Sequence, residues 1–173
     1  MLGRAGRLPL VPAARPAPEM IAFDRHDRGA VIKVMRQQLR DRDGWINLQP
    51  DVDPEDIPVP SASLTRLFTT RGPAVPFASW VPGIRKRNGT AEPLSVGLQH
   101  GGGHRAVARL REDGLLLPDG WRVLGDHPRR GIVVTAPDDQ DPDIALAWLI
   151  DAANRLTTFF LPDQWHAGVY PRV

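Results

Sequence analysis

From Gln99 to His104 the chain reads Gln-His-Gly-Gly-Gly-His, and Asp126, His127, Arg129 and Arg130 follow a short way on. Amide, imidazole, carboxylate and guanidinium groups so close in sequence offer two chemistries. In one, the site does not react. Gln99, His100 and His104 supply side-chain donors to an anion, while Gly102 and Gly103 let backbone N–H groups approach it. In the other, His100 or His127 is a general acid–base and Arg129 or Arg130 holds an anionic substrate.

Gly101 to Ala106 also satisfies G-x-G-x-x-A, between an expected strand and an expected helix, and Asp126 stands where a dinucleotide fold places its ribose-binding acid. Such a site needs a parallel sheet and a second half. The segments that follow read as a hairpin instead, and too little chain remains. A generic anion pocket at the helix start fits better, and a glycine-rich turn with a purely structural role fits best. No cofactor is expected.

His100 and His104 are four apart, but the three glycines between them prevent a shared helical face. No H-E-x-x-H occurs, so no metal site is expected. The chain has no cysteine, which removes disulfides, thiolate ligands and cysteine nucleophiles. Neither Gly-x-Ser-x-Gly nor a Gly-Lys-Ser/Thr phosphate loop is present. Four carboxylates between Asp51 and Asp56 lack the glycine and closing glutamate of a calcium loop and read as a solvated turn.

Two basic corners complete the constellation. Arg85, Lys86 and Arg87 precede an Asn-Gly turn signal, and Arg129 and Arg130 lie in a second connection. If the two hairpins pack side by side, these five cations and Gln99, His100 and His127 can share one edge, suited to a phosphate, a carboxylate or a nucleic-acid backbone. Few aromatics interleave with the basic residues, so nucleic acid is not favoured. Basic hairpin tips also serve simply to keep sheet edges soluble.

The elements that must position these groups follow from periodicity. Val31, Met35 and Leu39 recur at helical spacing from Asp27, a capping residue, to Arg42, with Gly44 as the stop. Trp45 to Pro50 is short and extended, and Ser63 to Thr69 forms a helical turn. Val75, Phe77, Ser79 and Val81 share one strand face, with Pro76 placing the strand at an edge or starting it later. Leu94, Val96 and Leu98 alternate as a half-buried strand. A helix with Ala106, Val107 and Leu110 inward runs to Gly114. Trp121 and Val123 alternate with Arg122 and Leu124 on the next strand, and Ile132-Val133-Val134 returns buried. Asp141, Pro142 and Asp143 open a last helix with a wide apolar face, and FFLPDQW to VY docks as a short strand or packed tail.

This order, approximately α-β3-α-β2-α, predicts an α+β fold: a mostly antiparallel sheet with helices on one face. The order resembles the secretion-chaperone-like fold. The stretches RGPAVPFASWVPG, VGLQHGGG and GWRVLGDHPRRGIVV are similar to an uncharacterised actinobacterial family over most of the chain after Met20. That resemblance implies no activity, cofactor or catalytic residue.

The 173 residues suit a single domain, read as 20–173, behind an arm at 1–19 that is disordered or precedes a later true start at Met20. Arg4, Arg7 and Arg15 lie in that arm, which has no acid before Glu19. From Glu19 onward the chain holds 19 basic and 20 acidic side chains, so the net charge of +2 comes from the residues before it and gives no whole-surface case for nucleic acid. Arginine outnumbers lysine 20 to 2, as codon usage in a GC-rich genome explains. No apolar run reaches membrane-spanning length, and a cytoplasmic location fits the lack of cysteine. The expectation is a small binding module for an unknown protein or anionic ligand. The alternatives are a His/Arg enzyme and a chaperone-like homodimer with an exposed apolar face.

Overall fold

A computed structural model of the chain describes residues 17–58, 72–83, 89–90 and 92–171. Its elements in order are β1 (Glu19–Asp24), α1 (Gly29–Asp41), β2 (Trp45–Pro50), a single 3-10 turn (Pro54–Asp56), β3 (Phe77–Val81), β4 (Leu94–Gln99), α2 (Ala106–Glu112), β5 (Arg122–His127), β6 (Gly131–Ala136), α3 (Pro142–Leu156) and β7 (Gln164–Tyr170). The fold class is the expected α+β, with a strand added at each end of the expected order.

The seven strands form one sheet in the order β1-β7-β2-β3-β4-β6-β5, each pair antiparallel. All three helices lie on one face. α3 is the central one, packing on β3 and β4 and flanked by α1 and α2. Its start is built as its residues predict: the Asp141 carboxylate accepts from the Asp143 backbone N–H at 3.2 Å, and Pro142 fills the first turn, where its missing donor costs nothing. Ala145, Leu146, Leu149, Ala152, Ala153 and Leu156 are all buried. Beneath them the sheet presents Ile46, Leu48, Trp80, Val96, Leu98 and Val134. Burying each such large side chain contributes about 1.5–3 kcal/mol.

Several elements depart from their sequence reading. α1 begins at Gly29 rather than Asp27, and its N-cap Arg28 makes no side-chain cap bond. Asp27 is instead used in a turn, its N–H bonded to the Asp24 carbonyl at 2.9 Å. α1 ends on Arg42 in the left-handed conformation, φ 50°, before Gly44 at φ 71°. Arg42 is held there by the Gly83 carbonyl and the Asp138 carboxylate.

β3 starts after Pro76, but it is an interior strand between β2 and β4, and its buried face is Ala78 and Trp80. Phe77, Ser79 and Val81 point to the helix-free side, because Ile46, Trp80 and Val96 share one register row. Val123 is exposed, since β5 is an edge strand with a bulge between Val123 and Gly125. Val133 also faces out, between buried Ile132 and Val134.

The ends of the chain do more than expected. Glu19 is not the last residue of an arm but the first of β1, paired with Val169. β7 lies between β1 and β2, in the interior of the sheet. The expected turn at Ser63 to Thr69 lies outside the described residues, as does the arm up to residue 16. No helix among the described residues is long and apolar enough to cross a membrane.

Candidate functional site

The alternation that buries Leu94, Val96 and Leu98 sends Gln99 to the helix-free face and His100 back under the helices. His100 is fully buried. Its Nδ1 accepts from the Gly102 backbone N–H at 3.1 Å, and its buried Nε2 has no partner. Arg109 of α2 donates to the Gly102 carbonyl, so the bend is fastened from both sides. Burial lowers the His100 pKa from its ordinary value, and the Arg109 charge adds to that while Asp126 opposes it. The ring is packed within the core, with Nδ1 committed to the bend. Of the two catalytic candidates, His100 is the buried one and His127 the exposed one.

Asp126 explains the glycine motif. Its carboxylate accepts from the backbone N–H groups of Ala106 at 3.3 Å and Val107 at 3.0 Å. The position of an incoming anion at the start of α2 is therefore filled by the protein's own acid, and α2 is only seven residues long. Of the two glycines expected to face an anion, Gly102 gives its N–H to His100 and Gly103 is buried. Among the described residues, no group of three or more His, Asp or Glu can hold a metal ion.

The second imidazole stands on the other side of the sheet. The pairing Leu98↔Ile132 and His127↔Gly131 places Gln99, Gly131 and His127 in one row on the helix-free face. Gly131 has no side chain, so nothing rises between Gln99 and His127, and both are exposed. The Nδ1 of His127 accepts from the backbone N–H groups of Arg129 at 3.1 Å and Arg130 at 3.4 Å. This fixes the tight turn and leaves Nε2 for solvent or a partner. His104 is exposed beyond the bend.

The two hairpin-and-helix units do lie side by side, joined through β4 and β6. That pairing is antiparallel, so the units run head to tail. Leu94, where the first connection re-enters the sheet, is opposite Ala136, whereas the Arg129–Arg130 turn opens β6 beside Leu98 and Gln99. The strand ends that lead into the two basic connections are thus at opposite ends of the sheet, not at a shared corner. Arg85, Lys86 and Arg87 themselves lie outside the described residues.

A further basic surface lies on α1, where the sequence reading expected none. Lys33, Arg36 and Arg40 line a groove of about 260 Å³ along α1, with Asp143 in its wall. The spacing i, i+3, i+7 on one helix face was the available signal. Part of this charge is already used, since Arg36 pairs with Asp141 at 3.2 Å and Arg40 bonds to Gln37.

Compared with family models, curated proteins and solved structures, the chain matches none.

Proposed function

We propose that the protein is a binding module that recognises an anionic group on a partner, through the sheet end formed by Gln99, His127, Arg129 and Arg130. The observation that carries this reading is the row Gln99–Gly131–His127 on the helix-free face, with the arginine turn directly beside it. The exposed amide of Gln99, imidazole of His127 and guanidinium of Arg130 suit a carboxylate or phosphate displayed by another molecule, with Arg129 adding positive charge to the same turn. The enzyme alternative loses its ground at His100, which is buried and bonded into the bend.

Inorganic polyphosphate in a thermal-shift titration tests the proposal. Wild type should be stabilised, and Arg129→Glu with Arg130→Glu should abolish the shift. An unchanged shift in that variant, with loss on Lys33→Glu and Arg40→Glu instead, moves the site to α1 and ends the sheet-end reading.

A homodimer is supported by a separate observation. The helix-free face carries a Trp45–Tyr170 stack, with ring centroids 4.9 Å apart and planes 4° apart, and Met20 on the same side is 58% exposed. Light scattering decides: a mass of one chain at micromolar concentration rules this second reading out.

A further inference from the structure

The helix-free face of the sheet is poor in charge. Three rows of outward-facing residues cross it, one through Asn47, one through Gln49 and one through Trp45. They hold no aspartate, glutamate or lysine and a single arginine, Arg122 in the edge strand β5, although 24% of the chain is charged. A sheet face of this composition ordinarily packs on another layer, and the three helices occupy the opposite face.

The relief of this face is self-complementary. Its middle row takes one residue from each strand and is centred on Ser79 of β3. Asn47, Gly168 and Met20 lie to one side, and Gly97, Val133 and Gly125 to the other. A two-fold axis along β3 lays each half over the other half of a second copy. Asn47 then faces Gly97, and Met20, 58% exposed, faces Gly125, where a Cβ would meet nothing within 4 Å. Val133 faces Gly168, a notch flanked by the Met20 sulfur and the Tyr170 ring. The rows on either side obey the same rule: Trp45 faces Ser95, His166 faces Gly131, and Gln49 meets Gln99, amide on amide. An axis across the strands instead sets Met20 on Met20, Val133 on Val133 and glycine on glycine. Only the axis along β3 puts large side chains over small ones, as interdigitated sheets require.

We propose that this face is the interface of a symmetric dimer, two sheets back to back about a two-fold axis along β3. The inference rests on the homodimer reading and supplies the partner of the sheet end: the anionic group met by His127, Arg129 and Arg130 is the Asp24–Asp51 corner of the second copy. The axis reverses the strand order, so β1, which ends on Asp24, comes over the β5–β6 turn, with Asp51 two strands inward at the end of β2. The Asp51 side chain is 60% exposed and lies 3.3 Å from His166. Asp24 accepts from Gln164 and from the His26 backbone N–H and keeps further acceptor sites. Arg25 in the same corner is held by Asp163 at 2.7 Å. Symmetry repeats the acid–base contact at the other end of the interface. Seven strands about 4.8 Å apart and about 17–20 Å long offer roughly 500 Å² a side, or roughly 1,000 Å² in total, the lower bound for a specific interface.

Sedimentation equilibrium of the full chain at low ionic strength tests the arrangement. Wild type should be dimeric at micromolar concentration. Asp24→Arg with Asp51→Arg, and Arg129→Glu with Arg130→Glu, should each raise the dimer dissociation constant about tenfold or more. An equimolar mixture of the two variants should recover the dimer, because one of its two corner contacts is then the wild-type pair and the other the same pair with charges exchanged. Asp51→Arg alone serves as the acidic arm if the double change fails to fold. A dimer that ignores both reversals, or two weakened variants that do not recover on mixing, overturns the proposal; if Ser79→Arg then abolishes that dimer, the homodimer reading on this face survives without the axis. A monomeric wild type overturns the proposal and the homodimer reading together. A polyphosphate shift that still needs Arg129 and Arg130 would in that case keep the sheet-end reading, with a partner other than a second copy.

Discussion

The Asp126 carboxylate lies 3.0 Å from the Val107 backbone N–H, with its other oxygen 3.3 Å from that of Ala106. An edge strand therefore caps a helix that follows a glycine bend, which ties β5 to α2. Asp126→Ala should cost about 0.5–2 kcal/mol, the usual loss on removing a capping side chain. Asp126→Asn, which keeps one acceptor, should cost less. Urea denaturation of the two variants checks this order; equal stability of Asp126→Ala and wild type would mean that the cap contributes nothing.

His100 makes stability depend on pH. Its folded-state pKa lies below the ordinary 6.5, so the unfolded chain takes up a proton before the folded one does. The unfolded state binds more protons in that interval, and stability falls as pH drops from 6.5 toward the lowered folded value. Above 6.5 the ring is neutral in both states and contributes no slope. His100→Gln should be less stable at pH 8, having lost a fitted side chain, yet show a shallower decline between pH 7 and 5.5. Melting temperatures across that range would show it. A slope unchanged in His100→Gln would assign the acid sensitivity to other groups.

Much of the helix-facing core was legible, and the reasons are local. Leu94, Val96 and Leu98 alternate with small or polar neighbours, and Ala145, Leu149 and Ala152 repeat at helical spacing, so pattern alone assigns their faces. β3 misled because Phe77 and Val81 are the larger apolar residues of one face, while Ala78 and Trp80 hold the other. Which face is inward was set by pairing with Ile46 and Val96, and no property of the segment itself encodes that. β1 offers only six residues with acids at both ends, and its strand character comes from its partner β7, more than a hundred residues away. The candidate site was half legible for the same reason. Residue types picked out Gln99, His127, Arg129 and Arg130, but only the antiparallel β4–β6 pairing reveals that the two basic connections leave from opposite ends.

Gly131 has the strictest steric demand in the Gln99–His127 row. It adopts φ 83°, and a Cβ there would lie 2.0 Å from the Leu98 carbonyl oxygen. Gly131→Ala combines left-handed strain of about 1–2 kcal/mol with a backbone collision that β4 and β6 must part to relieve. A loss of more than about 2 kcal/mol is expected on that account. Chemical denaturation measures it, and a loss below 1 kcal/mol would show that the β4–β6 pairing yields more easily than its register implies.

Arg42 closes α1 in a conformation that non-glycine residues avoid, φ 50° and ψ 46°, while its guanidinium reaches the Gly83 carbonyl at 3.2 Å and Asp138 at 2.9 Å. Two substitutions separate the backbone contribution from that of the side chain. Arg42→Ala and Arg42→Gly both remove the guanidinium, and a partly exposed ion pair of this kind contributes about 0.2–1 kcal/mol. Alanine retains the left-handed strain, whereas glycine adopts that region freely and loses part of the gain to the greater freedom of its unfolded chain. Arg42→Gly should therefore be the more stable of the two by about 1 kcal/mol, read as a difference in urea midpoint at equal slope. Alanine equal to or better than glycine would mean that the chain rebuilds the end of α1 once the arginine is gone, and that the ties to Gly83 and Asp138 hold it left-handed.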